Sequence, residues 1–511
     1  MKGKAQNERW GIRWICLLTA LFVLVLTAVG CGRGAGDPDD STPDGATRPP
    51  NSEDEEEIWP DLKGRTFIIN TCTSELNNNV SSNLFIEGSD DKNANFVSQM
   101  AYARNGLICE KMNADMKFVP NGLRYHEIVS YFDNLFLSQE PLDLIMNKLY
   151  PLATMSINGS FYNIASNNYF DFFSDYWYTD WMDSLSIDGG NTCYLMAGDF
   201  FIDVLRYCGL IIYNDRLFND LYADEGGTDA VYDLIQDGGW TIEKLLTYSN
   251  EAYLDVGDDG KTAEDRYGWC ASQVWYNGIP YFIGASDLQF LSEDGTYLDM
   301  NNDRSLKLFS YMKQLFYGDG CMPYSRRPGG YTMDLALDTT ADAIFRAGRG
   351  LFLGQSQFAT MELLTDYDSW SVLPYPKLDA GHDYVTPSAE LTEVGAIPRV
   401  CSDRDSVLIL LEYLNRATAD GVMENYYETC LQHRYAKDPK TREMVVFIHD
   451  HLNGAFEQAY NNYLSEALMW NTFYVPLIDG VEFTTAYKSV EGSANKKIEM
   501  MLQAWQRNLE S

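Results

Sequence analysis

From Gly64 onward the chain alternates short apolar runs with longer amphipathic stretches, and this alternation confines it to an α/β architecture. Arg65-Thr66-Phe67-Ile68-Ile69-Asn70 reads as a buried strand, followed by a helix over 93–112 and a second strand at Met116–Val119. A helix over 126–139 leads into a third strand, Leu142–Met146, and further strands are predicted at Leu210–Tyr213, Gly350–Leu353 and Ser371–Pro374. Strands separated by helices of this length imply a largely parallel sheet covered on both faces. Thr241 reads as an N-cap, with Glu243 favoured by the helix dipole in the first turn. Ser402 or Asp403 caps another helix, whose buried face carries Val407, Leu410, Leu411 and Leu414. A C-terminal helix lines up Ile498, Met501, Leu502, Trp505 and Leu509. No internal repeat is visible.

At 511 residues the chain is long enough for about two to four domains or lobes. Its formal net charge of −36 repels phosphate backbones and anionic headgroups, which argues against nucleic acid as a partner. Lys2, Lys4, Arg9 and Arg13 precede an apolar run from Ile15 to Val29 that ends in Ala28-Val29-Gly30-Cys31. So short a run, closed by small residues, is a secretory signal rather than a spanning helix. Residues 1–30 are expected to be a lipoprotein signal peptide, because the ending resembles a bacterial lipobox, although Ala28 stands where leucine is commoner. Cys31 would then carry the lipid. Residues 31–58, with the acidic run Glu53–Glu57, cannot bury enough apolar surface to fold and read as a disordered acidic tether. Order is expected from about Trp59.

Chemistry-bearing motifs mostly fail on inspection. Gly260-Lys261-Thr262 imitates the end of a phosphate loop, but the required first glycine is Asp255. Gly354-Gln355-Ser356 opens like a nucleophile elbow, yet Phe358 occupies the second glycine position. Five histidines supply few general bases, and His449 and His451 diverge on a helix, so no metal site and no cofactor are expected. Asp255–Gly260 partly matches a calcium loop, but Arg266 replaces the final bidentate glutamate, and a tight solvated turn fits better. Eight cysteines remain after Cys16 and Cys31: Cys72, Cys109, Cys193, Cys208, Cys270, Cys321, Cys401 and Cys430. Four disulfides or scattered buried thiols are both open for them. Eleven Trp, 34 Tyr and 25 Phe exceed what cores usually need, and flat rings with polar edges suit a neutral polar ligand such as a sugar.

Several segments resemble the extracellular solute-binding proteins of ABC importers, the broad group that includes maltose-binding protein. Tyr102-Ala103-Arg104-Asn105, continuing to Glu110-Lys111-Met112-Asn113, is similar to the first-helix segment of that group. Leu142–Asn147 followed by Gly159–Ile164, and Cys193–Asp199, resemble its lobe edge and first crossover. Ile212–Phe218, Gly239–Leu245 and Phe345–Gly350 leading to Leu373–Lys377 also fit. The resemblance spans nearly all of the chain from Gly64 onward.

This resemblance implies a two-lobed, periplasmic-binding-protein-like (type II) α/β fold with a hinge and an interlobe cleft. The expected division is 59–198 with 343–395 for the first lobe and 199–342 with 396–511 for the second. It further implies a monomeric, non-enzymatic receptor on the extracellular face of the cell membrane, held there by its N-terminal lipid alone. Such a receptor delivers a carbohydrate to ABC permease subunits. Ligands of open α/β sheets sit beyond the carboxyl ends of strands. That rule nominates Thr73 and Glu75 after strand one, and Asn147, Lys148 and Tyr150 after strand three. Asp199 and Phe200 mark the first crossover, Gln355 and Ser356 the second. Trp275, Tyr276 and Trp470 are aromatics placed like the group's sugar-stacking residues. The rival reading is a secreted glycoside hydrolase lipoprotein, whose paired carboxylates cannot be located from spacing.

Overall fold

The computed structural model describes residues 59–73, 83–186, 191–258, 260–271, 278–322, 335–364, 367–430, 439–453, 456–465 and 467–510. The signal peptide, Cys31 and the tether lie outside the described residues, as do Glu75, Trp275 and Tyr276. Among the described residues there are ten strands: β1 (Arg65–Cys72), β2 (Ala114–Asn121), β3 (Leu144–Lys148), β4 (Gly209–Tyr213) and β5 (Tyr267–Cys270) come first in the chain. They are followed by β6 (Gly350–Gln357), β7 (Ser371–Leu373), β8 (Thr386–Pro387), β9 (Glu393–Ala396) and β10 (Leu452–Asn453).

Two four-stranded sheets organise the molecule, ordered β2-β1-β3-β9 and β5-β6-β4-β7. In the first, β1 pairs in parallel with β2 and β3, while β9 runs antiparallel to β3. Phe67 and Ile69 point into the core, yet Asn70, Thr71 and Cys72 are equally buried, as expected of a strand covered on both faces. The second sheet departs from the parallel expectation. Only β5–β6 is parallel there, whereas β4 runs antiparallel to both β6 and β7.

Sheet membership within 343–395 is mixed. Residues 350–357 and 371–373, assigned to the first lobe, are β6 and β7 of the second sheet. The chain crosses late, so only β9 of that stretch returns to the first sheet. The C-terminal helices belong to both sides. The Arg404–Ala417 helix packs on Phe96–Met112 of the first lobe, and Pro439–Asp450 packs on β7 of the second. Phe456–Ser465 then lies on Leu149–Ile157 and on the long C-terminal helix Phe483–Glu510.

Local signals explain the helix starts. Thr241 accepts a hydrogen bond from the Lys244 N–H, and Asp403 accepts from that of Ser406, so Asp403 rather than Ser402 is the cap. Ile498, Met501 and Trp505 are buried along the C-terminal helix, while Leu509 is exposed. Cys72, Cys109, Cys193, Cys208, Cys270, Cys321 and Cys401 are all free thiols, which favours the unbridged alternative for these seven.

Three chain segments link the two sheets side by side. Cys208 bridges to Ser388, the Ala389 N–H donates to the Tyr207 carbonyl (3.2 Å), and β10 runs parallel to β8. The links at 203–208, 386–392 and 451–453 therefore form one narrow ribbon. Few backbone hydrogen bonds hold it, which is the construction expected of a hinge.

Candidate ligand-binding site

The carboxyl edge of the first sheet ends in a buried set of charges. Lys148, the last residue of β3, places Nζ 2.8 Å from Glu393 Oε1 at the start of β9. Because β9 is antiparallel, its beginning shares an edge with the end of β3. Arg206 Nη1 lies 2.8 Å from Asp203 Oδ1 in the first link, and the Thr392 hydroxyl donates to the Asp203 carbonyl (2.7 Å). All four charged side chains are almost fully buried. The Lys148 ammonium stands above the ordinary lysine range: burial pulls it down, but Glu393, with Cys72, Asp203 and Tyr207, outweighs that loss. Asp203 is raised by burial and by Glu393, against the pull of Arg206 and Lys148. Among the described residues its Oδ2 has no hydrogen-bond partner, nor has the Nδ2 of Asn147. The set ties β3, β9 and the first hinge segment together, leaving Lys148 no free donor role at the surface.

Beside this buried set lies a more open polar group. Glu390, half-buried in the second hinge segment, accepts hydrogen bonds at Oε2 from Asn461 Nδ2 (3.2 Å) and Asn462 Nδ2 (3.4 Å). Its backbone carbonyl accepts from the Tyr150 N–H (3.3 Å). Burial pushes the Glu390 carboxyl above its ordinary range, opposed by the two asparagines. The Tyr150 phenol is raised by burial, then by Glu390 and Tyr125. The Tyr150 ring centroid is 5.8 Å from that of Tyr125, which is exposed. From the second sheet, Gln357 Nε2 donates to Tyr281 Oη (2.5 Å), and Tyr281 also feels the Glu390 charge. Asn461 Oδ1 accepts from the Met469 N–H (2.7 Å), which fixes the π-helical turn beginning at Trp470. Amides, phenols and one carboxyl thus converge from both lobes and a hinge link, a set of groups that can orient a hydroxylated ligand and cover its apolar faces.

The nominated residues divide accordingly. Tyr150 belongs to the open group, and Trp470 is connected to it through Met469 and Asn461. Trp470 is half-buried on the core, its ring 4.2 Å from Tyr474, rather than standing free in a cleft. Thr73 is half-buried and bonded to the Asn121 carbonyl through its N–H. Asn147 and Lys148 are interior for the reasons given. Asp199 is buried, accepts from Tyr178 Oη (2.7 Å), and is raised by burial to about 6, with His449 opposing the shift. Phe200 is fully buried under the Arg104 guanidinium at 4.9 Å, and Ser356 donates to the Leu353 carbonyl (3.0 Å). All three are buried and engaged within the protein. Gln355 lies on β6, and its side chain is outside the described residues.

Sequence reasoning missed Glu390, Asn461, Asn462, Tyr125 and Tyr281. The strand-end rule looks after strands, whereas Glu390 precedes an antiparallel one. The usable signal was the pair of acids, Glu390 and Glu393, directly before the apolar run Val394–Ile397. The acidic turn at 255–266 closes on itself: Asp255 accepts from the Gly257 and Gly260 N–H groups, and Asp265 from those of Val256 and Thr262. Among the described residues no group of three or more His, Cys, Asp or Glu side chains is arranged to hold a metal.

No family model matches the chain, and no curated protein matches its sequence. Solved structures do. An ABC-transporter solute-binding protein from Thermotoga lettingae, bound with α-D-tagatose, matches with a TM-score of 0.51 at 14% identity, covering 85% of this chain and 100% of that one. An ABC substrate-binding protein from Listeria monocytogenes, in complex with cycloalternan, matches with a TM-score of 0.53 at 12% identity, over 85% and 99% of the two chains. The chain has the solute-binding-protein fold. The same holds against the galacto-N-biose/lacto-N-biose I-binding protein of Bifidobacterium longum, in complex with lacto-N-biose, with a TM-score of 0.53 at 12% identity over 86% and 99%. The segments that cross between the two sheets are the narrow ribbon of β8 and β10, with Cys208 bridged to Ser388, and the middle segment carries Glu390.

Proposed function

We propose that this chain is the lipid-anchored, extracellular substrate-binding component of an ABC importer, capturing a mono- or oligosaccharide and delivering it to a membrane permease. The observation that carries the reading is Glu390. It sits in a hinge link, with first-lobe Tyr150 on one side, Asn461 and Asn462 on another, and second-lobe Tyr281 within reach of its charge. A ligand held there touches both lobes and the ribbon between them. Binding then favours whichever arrangement brings the two walls together, because a ligand shifts an equilibrium by its differential affinity for the two states. Nothing in this group demands a chemical step, so the ligand leaves as it came. Lipid attachment at Cys31, a monomeric state and a permease partner complete the proposal.

The fold relatives support it, since the solute-binding proteins just described hold tagatose, cycloalternan and lacto-N-biose. The test is a thermal-shift screen of mono- and oligosaccharides, followed by calorimetry on Glu390→Ala. Loss of a carboxylate hydrogen-bonded to ligand costs about 1.5–3 kcal/mol, so affinity should fall at least about tenfold. A sugar that binds the variant as tightly as the parent would remove Glu390 from the site.

A further inference from the structure

Within the proposed binding site, Glu390 has an incomplete set of partners. Both asparagine amides bond Oε2, and among the described residues Oε1 accepts no hydrogen bond. No described Lys, Arg or His lies within ion-pair distance of it. The basic groups of the same sheet edge, Lys148 and Arg206, are already matched by Glu393 and Asp203. Arg124 and His126 flank exposed Tyr125, and the His126 ring meets Tyr125 edge-on at 5.3 Å. The half-buried Glu390 carboxylate, beside the Tyr150 and Tyr125 rings, therefore has no cation within ion-pair distance among the described residues.

We infer that the preferred ligand brings that cation itself: an amino sugar or similar aminated polyol, its ammonium on Glu390 Oε1 and against the Tyr150 ring. This deepens the carbohydrate reading and rests on it. A ligand hydroxyl could donate to Oε1 but would leave the buried negative charge uncompensated. An ammonium supplies a charge-assisted hydrogen bond about twice as strong as a neutral one. It also gains from the electron-rich faces of Tyr150 and Tyr125, whose centroids lie 5.8 Å apart. Anionic sugars, phosphorylated or carboxylated, meet repulsion from the same carboxylate. Burial makes this preference self-consistent, since it destabilises the ionised Glu390 until a positive partner arrives.

The probes are pairs of sugars alike except for one ring hydroxyl exchanged for an amine: glucose and glucosamine, galactose and galactosamine, and the matching disaccharides, with N-acetyl forms as neutral controls. Calorimetry on the full chain at neutral pH should give the amine of at least one pair an affinity about tenfold or more above its hydroxyl partner. Glu390→Gln keeps the shape and the amide contacts, and it should reduce that ratio to near unity without lowering the ligand-free melting temperature. Tyr150→Leu should reduce it in part. If hydroxyl or N-acetyl forms bind as tightly in every pair, or if the preference survives Glu390→Gln, the inference falls while the carbohydrate reading stands. If no sugar of either kind binds, both fall.

Discussion

Deleting one half of the Lys148–Glu393 pair should damage the protein far more than deleting both halves. The two side chains are 4% and 6% exposed, and their charges are 2.8 Å apart. Glu393→Ala leaves an ammonium buried beside the fully buried Arg206, with only Asp203 to answer two cations. Breaking a buried pair in this way costs about 3–5 kcal/mol. Replacing both by methionine removes the two desolvation penalties together with the attraction, and such exchanges are often neutral or stabilising. The double variant should therefore recover to within about 1 kcal/mol of the parent, Asp203 and Arg206 still satisfying each other. Urea denaturation followed by tryptophan fluorescence measures both, Trp177 and Trp181 being buried reporters. The Lys148 proton is held above its ordinary 10.5, so its contribution is complete around neutrality and fades only in strong alkali. Near neutrality the difference between parent and variant should be flat. A Glu393→Ala loss below about 1 kcal/mol, or a double variant as weak as the single one, would refute the reasoning.

Glu457 predicts a pH dependence in a lower window. Burial raises its carboxyl from 4.5 to about 7, with Asp287 adding to the shift. The native state therefore holds a proton that the unfolded chain has released, and stability should decline between those two values. The shift corresponds to about 3 kcal/mol, which Glu457→Gln should abolish in urea melts taken across that window. A sugar that raises the melting temperature should be recovered unchanged after prolonged incubation, and product that accumulates with time would favour the glycoside hydrolase reading. Cys31→Ser should release the protein from the membrane or leave its signal uncleaved, as mass spectrometry of the mature N-terminus would reveal.

Much of the fold was legible because burial is written in runs of apolar residues. β1, β3, β4 and β6 all coincide with such runs, and Thr241 and Asp403 announce their helices by capping chemistry. Strand direction was not legible. Leu210–Tyr213 looks the same whether its neighbours run parallel or antiparallel, so the antiparallel pairing of β4 with β6 and β7 could not be read from it. The short hinge strands β8 and β10, two residues each, carry no periodicity at all. At the candidate site, the strand-end rule nominated Tyr150, which lies beside Glu390, and Lys148, which is buried against Glu393. It could not tell an exposed strand end from one sealed by Glu393 arriving from far along the chain. Glu390 and Asn461 meet only through tertiary structure, being separated in the chain by β9, β10 and the helices between them.

The central claim is that a sugar binds between two lobes and draws them together about the ribbon formed by 203–208, 386–392 and 451–453. Small-angle X-ray scattering of the full chain, with and without a saturating sugar taken from the thermal-shift screen, tests it most directly. The account predicts a smaller radius of gyration in the bound sample, and the same contraction lost in Glu390→Ala at that sugar concentration. An unchanged radius with the sugar demonstrably bound would contradict it.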